Sequence, residues 1–223
     1  MPLIVALLIV ALQMSSSPPE VLPATATSKL RASLKAASAH TKHAWRDTAP
    51  FEAELVKAIV EIPRGDRRKF EFDMAKNTPA VDRVMPKHIG GYPVNYGIVP
   101  QTISYDGDPF DVLVLGPAVP SGRLVTGVIV GLMQMEDETG LDSKVVLSRV
   151  GKNGKPLHQL TDAEKKRIAD YFNRYKKDDD DPKTFATVPG WGTAAEGLAF
   201  VRMTHAFFQE CEPRAGAVCH VVR

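Results

Sequence analysis

A chain of 223 residues, 44% hydrophobic and 24% charged, holds enough apolar material for one buried core and excludes a disordered or fibrous polypeptide. Its 28 basic and 26 acidic residues leave a net charge of +2, so overall charge gives no argument for nucleic acid or an anionic membrane surface as a partner. What matters is where the charges gather.

Residues 1–26 begin with an almost wholly apolar run, Met1 to Leu12, and end in the small residues Ala24-Thr25-Ala26. They resemble a secretory signal peptide, although the run lacks a Lys or Arg before it and is short for a bilayer span. A disordered leader and a start codon assigned too early are the alternatives. With a signal peptide the protein would be exported or periplasmic, with no stable membrane insertion after processing; without one it would be cytoplasmic. Residues 27–50 read as a loosely attached arm with a short helix from Ser28 to about His40, and His40 and His43 read as solvated side chains rather than a metal pair.

From Val56 the texture turns to short β-rich segments: Val56 to Ile62, Lys69 to Asp73, Val112 to Leu115, Leu124 to Met135 and Lys144 to Leu147. Lys69-Phe70-Glu71-Phe72-Asp73 alternates charged and aromatic residues, which puts its charges on one strand face, directed into a site. Gly127 and Gly131 predict a bend in the long strand. Two helices follow. Thr161 with Glu164 forms a capping box before the stripe Ile168, Tyr171, Phe172, Tyr175, and Lys176 lies on the same helix. Thr193 with Glu196 repeats the signal before Ala194, Leu198, Val201, His205 and Phe208, where His205 reads as a packed residue. Strands first and helices last argue for an α+β, mainly β domain over residues 51–210, with a closed or partly closed barrel as its sheet. Residues 211–223 form a tail. Cys211 and Cys219 fit no metal pattern and could pair only in an oxidising compartment.

The chemistry concentrates in Asp106-Gly107-Asp108-Pro109-Phe110-Asp111, a turn leading into an apolar strand. Three carboxylates so close repel one another unless a cation neutralises them, and a hard cation such as Mg²⁺ is the simplest partner. Asp137, Glu138 and Asp142 make a second acidic turn at Gly140. Lys69, Arg83, Lys144 and Lys176 are the cations that a substrate carrying several phosphoryl charges needs.

Together these segments resemble the soluble family I inorganic pyrophosphatases. Asp106 to Val112 carries the signature, and Glu61-Ile62-Pro63, Val81-Asp82-Arg83, Tyr92-Pro93-Val94-Asn95-Tyr96-Gly97, Asp137 to Lys144 and Tyr175-Lys176 stand around it in family order. The resemblance implies an OB-like five-stranded β-barrel with flanking C-terminal helices, several Mg²⁺ ions per site, and hydrolysis of pyrophosphate to two orthophosphates by a metal-activated water. It implies metal ligands at Asp106, Asp111, Asp137, Asp142 and Glu71, and phosphate contacts from Lys69, Arg83, Tyr96, Lys144, Tyr175 and Lys176. Glu61, Tyr92 and Glu138 would support these. Asp108 is the candidate general base. A homo-oligomer is expected, although the helix carries Asp170 and Arg174 where hexameric bacterial members carry histidines. Gly91 replaces a frequent aromatic, which predicts looser packing. The alternatives are a metal-dependent hydrolase of another phosphoanhydride and a non-catalytic polyanion-binding module; six or more carboxylates at the site disfavour the latter, and nucleic acid with it.

Overall fold

The computed structural model describes residues 22–177 and 183–211, so Met1 to Leu12, the run Asp178 to Asp181 and Cys219 lie outside the described residues. Helix α1 (Ala24–Ala37) is followed by β1 (Phe51–Glu52), β2 (Leu55–Ile62) and a hairpin of β3 (Arg68–Asp73) and β4 (Thr78–Val84). Then come β5 (Asn95–Ile98), β6 (Asp111–Val114), β7 (Leu124–Asp137), β8 (Gly140–Leu141), β9 (Lys144–Arg149), α2 (Asp162–Phe172), β10 (Ala186–Gly192) and α3 (Ala194–Cys211). Among the described residues no helix is long and apolar enough to cross a membrane.

Five strands pair in a closed ring: β2 with β5, β5 with β6, β6 with β9, β9 with β7, and β7 back to β2. This is the OB-like barrel that the resemblance implied, and closing the ring leaves those strands no free edge. Strand β7 closes it because it is long enough to serve several partners in turn. Its register shifts between Ile129 and Gly131, where a bend was expected. Gly127 lets β9 approach, since a Cβ there would lie 2.2 Å from the carbonyl oxygen of Ser148.

Alternate residues of the same strands feed two cores, as the two-residue period of a strand requires. Ile62, Leu113, Met133 and Val146 pack with Ile168, Tyr171 and Phe172 of α2. Val60, Val112, Val114, Val145 and Leu147 pack with Val201 of α3. Both predicted caps form: Thr161 Oγ1 accepts from the Glu164 amide at 3.3 Å, and Thr193 and Glu196 bond reciprocally. Helix α2 ends at Phe172, so Tyr175 and Lys176 occupy the turn after it rather than the helix. On α3, Ala194 is exposed. Contact begins instead at Gly197, where a Cβ would lie 2.9 Å from the Gly131 carbonyl oxygen, and continues through Val201, Thr204, Phe207 and Phe208. His205 is half-buried, with Nδ1 2.7 Å from the Gln101 carbonyl oxygen, as a packed residue should be.

The N-terminal arm is firmly packed, contrary to expectation. Helix α1 starts at Ala24, inside the expected cleavage segment. Leu22, Ala26 and Leu30, four residues apart, form a buried stripe that the Ser- and Ala-rich composition concealed. They join Trp45, Ile59, Ile98, Ile103, Phe207 and Phe208 in a third core. His43 is fully buried with Nε2 3.0 Å from the Met74 carbonyl oxygen, so it is not solvated; burial holds its imidazole below the usual range. Gly91 also departs from expectation. A Cβ there would lie 2.2 Å from the Gly65 carbonyl oxygen, so glycine permits tight packing of Tyr92, which is 2% exposed.

Candidate active site

A cleft of about 330 Å³ opens between the β3–β4 hairpin, the acidic turns at the ends of β6, β7 and β9, and the turn after α2. It is lined by every residue that the sequence nominated for the site except Lys144 and Glu138, and these two bond to residues that line it. Ser33, Phe70, Phe72, Met74, Ile98 and Pro109 also line it without having been nominated. The aromatic and aliphatic residues carry no chemical signal in sequence, and Ser33 comes from the mispredicted arm.

The first acidic turn is shaped locally. The Ser104 amide donates to the Asp108 carbonyl at 2.7 Å, the Asp108 amide donates to Asp106 Oδ1 at 3.0 Å, and Gly107 supplies the positive φ of 87° that the turn needs. Phe110 anchors it in the core at 2% exposure. Strand pairing does the rest. Because β6 and β9 run parallel with Val112 opposite Val145, the preceding residues Asp111 and Lys144 become neighbours, and Lys144 Nζ lies 2.6 Å from Asp111 Oδ2. Asp142, two residues earlier, meets the same ammonium at 2.8 Å. Asp137 and Glu138, at the end of β7, are bridged by Lys176 at 2.9 and 2.6 Å. Lys69 pairs with Glu71 at 2.6 Å and approaches Asp82 at 3.5 Å.

Electrostatics divide these groups. Burial pulls the Lys144 ammonium down, but Asp111 and Asp142 outweigh it and hold the group above the ordinary lysine value. Burial pushes the Asp142 carboxyl up, reinforced by Asp111 and only partly opposed by Lys144. Burial and Asp106 push Asp108 up to about 6, against the pull of Lys29. Asp137 behaves in the opposite way: hydrogen bonds from Thr139 and Lys176 overcome its burial and hold it below the usual range. Burial raises Tyr96 and Tyr175, so both remain neutral phenols able to donate a hydrogen bond.

Among the described residues no three His, Cys, Asp or Glu side chains converge as a group that could enclose a metal ion, and lysine ammonium groups pair with Asp111, Asp142 and Asp137 instead. The donor chemistry nevertheless fits a hard divalent cation. Asp106, Asp111, Asp137, Asp142 and Glu71 present carboxylate oxygens to one cleft, and burial, reinforced by neighbouring carboxylates, pushes Asp106, Asp108 and Asp142 up, so that a bound cation would favour their charged forms.

The family model for inorganic pyrophosphatase matches residues 58–209. An inorganic pyrophosphatase of Aeropyrum pernix is 37% identical over 164 residues, 70% of this chain and 89% of the relative. One of Sulfolobus acidocaldarius is 35% identical over 150 residues, 64% of this chain and 85% of the relative. Among solved structures, an inorganic pyrophosphatase from Coxiella burnetii superposes with a TM-score of 0.66 at 35% identity, covering 72% of this chain and 99% of its own. That from Thermus thermophilus gives 0.67 at 30% identity, covering 74% and 98%.

Proposed function

Because this chain belongs to the inorganic pyrophosphatase family, we propose that its cleft hydrolyses pyrophosphate to two orthophosphates with the help of divalent cations, Mg²⁺ foremost. The observation that carries this reading is the convergence on one cleft of the two acidic turns, Lys69, Lys176 and two neutral tyrosines, with Lys144 just behind them on Asp111 and Asp142. Asp106, Asp111, Asp137, Asp142 and Glu71 would hold the cations. When bound, these would lower the pKa of an attacking water and neutralise phosphoryl charge.

The chain's own residues do the rest. Asp108 accepts the proton of the attacking water through its carboxylate, and a pKa near 6 suits a base working close to neutrality. Lys69, Arg83 and Lys176 bind the phosphoryl oxygens, and Lys144, held by Asp111 and Asp142 just behind them, adds its charge as the bridging bond breaks. Tyr96 and Tyr175 donate hydrogen bonds to the same oxygens. Glu61, 4% exposed in the cleft wall, and Tyr92, packed against Tyr96 with ring centroids 5.7 Å apart, hold this wall in place. Glu138 orients Lys176.

The test is phosphate release from pyrophosphate, from a nucleoside triphosphate and from linear polyphosphate, each with Mg²⁺ and with a chelator. The expected result is Mg²⁺-dependent release from pyrophosphate well above the other two; equal release from all three, or none, contradicts the reading. Assembly as a homo-oligomer belongs to the same proposal, and light scattering giving the mass of a single chain would count against it.

A further inference from the structure

Helix α1 lies wholly before the segment that the family model matches, yet it presses on the turn that carries the proposed base. Lys29 Nζ lies 2.5 Å from Asp108 Oδ2 across 79 positions of sequence. The backbones meet as well. A Cβ on Gly107 would lie 2.8 Å from the Cα and carbonyl oxygen of Ala26 and from Lys29 Cβ, so the turn sits directly against the helix. Ser33, four residues beyond Lys29 and therefore on the same face, lines the cleft. The helix is anchored beneath by Leu22, Ala26 and Leu30, all 2% exposed or less.

We propose that Lys29 is a positioning residue for Asp108, contributed to the active site by a helix outside the family-matched segment. This rests on the assignment of Asp108 as base. Every other lysine bridging the site's carboxylates comes from within residues 58–209: Lys144 for Asp111 and Asp142, Lys176 for Asp137 and Glu138, Lys69 for Glu71. Asp108 has Lys29. Both partners are half exposed, so the pair adds little to global stability. Its consequence is directional: one carboxylate oxygen is held by the ammonium, which orients the other toward the incoming proton. Small displacements of a reacting group cost rate disproportionately, which is how a contact of little stabilising value can matter to turnover.

The experiment uses the full chain and its Lys29→Met and Lys29→Arg variants. Steady-state phosphate release from pyrophosphate at saturating Mg²⁺ is measured alongside hydrogen exchange of the Ser104 and Gly107 amides in the metal-free protein. Lys29→Met is expected to lose about tenfold in kcat with KM essentially unchanged and to exchange those two amides faster, while Lys29→Arg restores most of both. An unaltered kcat in Lys29→Met, or a raised KM at constant kcat, overturns the proposal. Absence of phosphate release by the unaltered protein would instead overturn the pyrophosphatase reading, and this one with it.

Discussion

Lys144 is 1% exposed at its side chain and faces Asp111 and Asp142, themselves only 21% and 18% exposed. Replacing it with Met strands two largely buried carboxylates, and urea denaturation without divalent ions is expected to show a loss of about 3–5 kcal/mol. Little change would mean that the acids find other partners. Glu61 gives a prediction with a definite sign. Burial and Asp111 raise its carboxyl well above 4.5, only partly offset by a hydrogen bond from the Phe72 amide. The folded state therefore holds this proton more tightly than the unfolded chain, so the contribution is fully present below about pH 4.5 and is lost as pH rises toward and through the folded value. With a chelator present, the stability of wild type relative to Glu61→Gln should fall as pH rises above about 4.5; a rise would contradict the assignment. The cleft's acidic residues were legible in sequence because acidic turns and an alternating strand are local patterns. The pairing of Lys29 with Asp108 was not, since nothing local links positions 79 apart.

Among the elements, α2 and α3 could be read because caps and apolar stripes lie within a few residues of one another. Strands β1, β4, β5, β8 and β10 carry no such signal, being short or interrupted by Gly and Pro and in part defined by distant partners: β10 pairs with β7 some 50 residues before it. The parallel alignment of β6 with β9, which joins Asp111 to Lys144, is of the same kind. Helix α1 was misjudged because its burial depends on Ile59, Ile98 and Phe208, far along the chain. Its packing has a consequence for processing. Cleavage after Ala26 would remove the fully buried Ala26 and the first turn of the helix, so mass spectrometry of the mature protein is expected to find Ala24 to Ala26 retained. A mature N-terminus at Thr27 would contradict the structural role of α1.

At the scale of the molecule, the barrel and the β3–β4 hairpin bring three distant acidic segments, from β3 and from the turns beside β6 and between β7 and β9, to one cleft, where lysines pair with their carboxylates. Divalent ions that bind the folded cleft and not the unfolded chain must stabilise it, by about 2.7 kcal/mol at a hundredfold excess over Kd. Thermal unfolding should therefore shift upward with Mg²⁺ and return on chelation; no shift would separate the cleft from metal binding. The barrel's closure was legible in the order of strands and helices and in the family signature rather than in periodicity, because no single strand announces a ring. A base at Asp108 in Mg²⁺-dependent pyrophosphate hydrolysis must show itself in turnover. The most direct measurement is phosphate release from pyrophosphate at saturating Mg²⁺ by the wild-type protein and by Asp108→Asn. The wild type is expected to turn over and the variant to lose about 10²-fold or more in kcat, whereas equal turnover by the two would rule out Asp108 as the base.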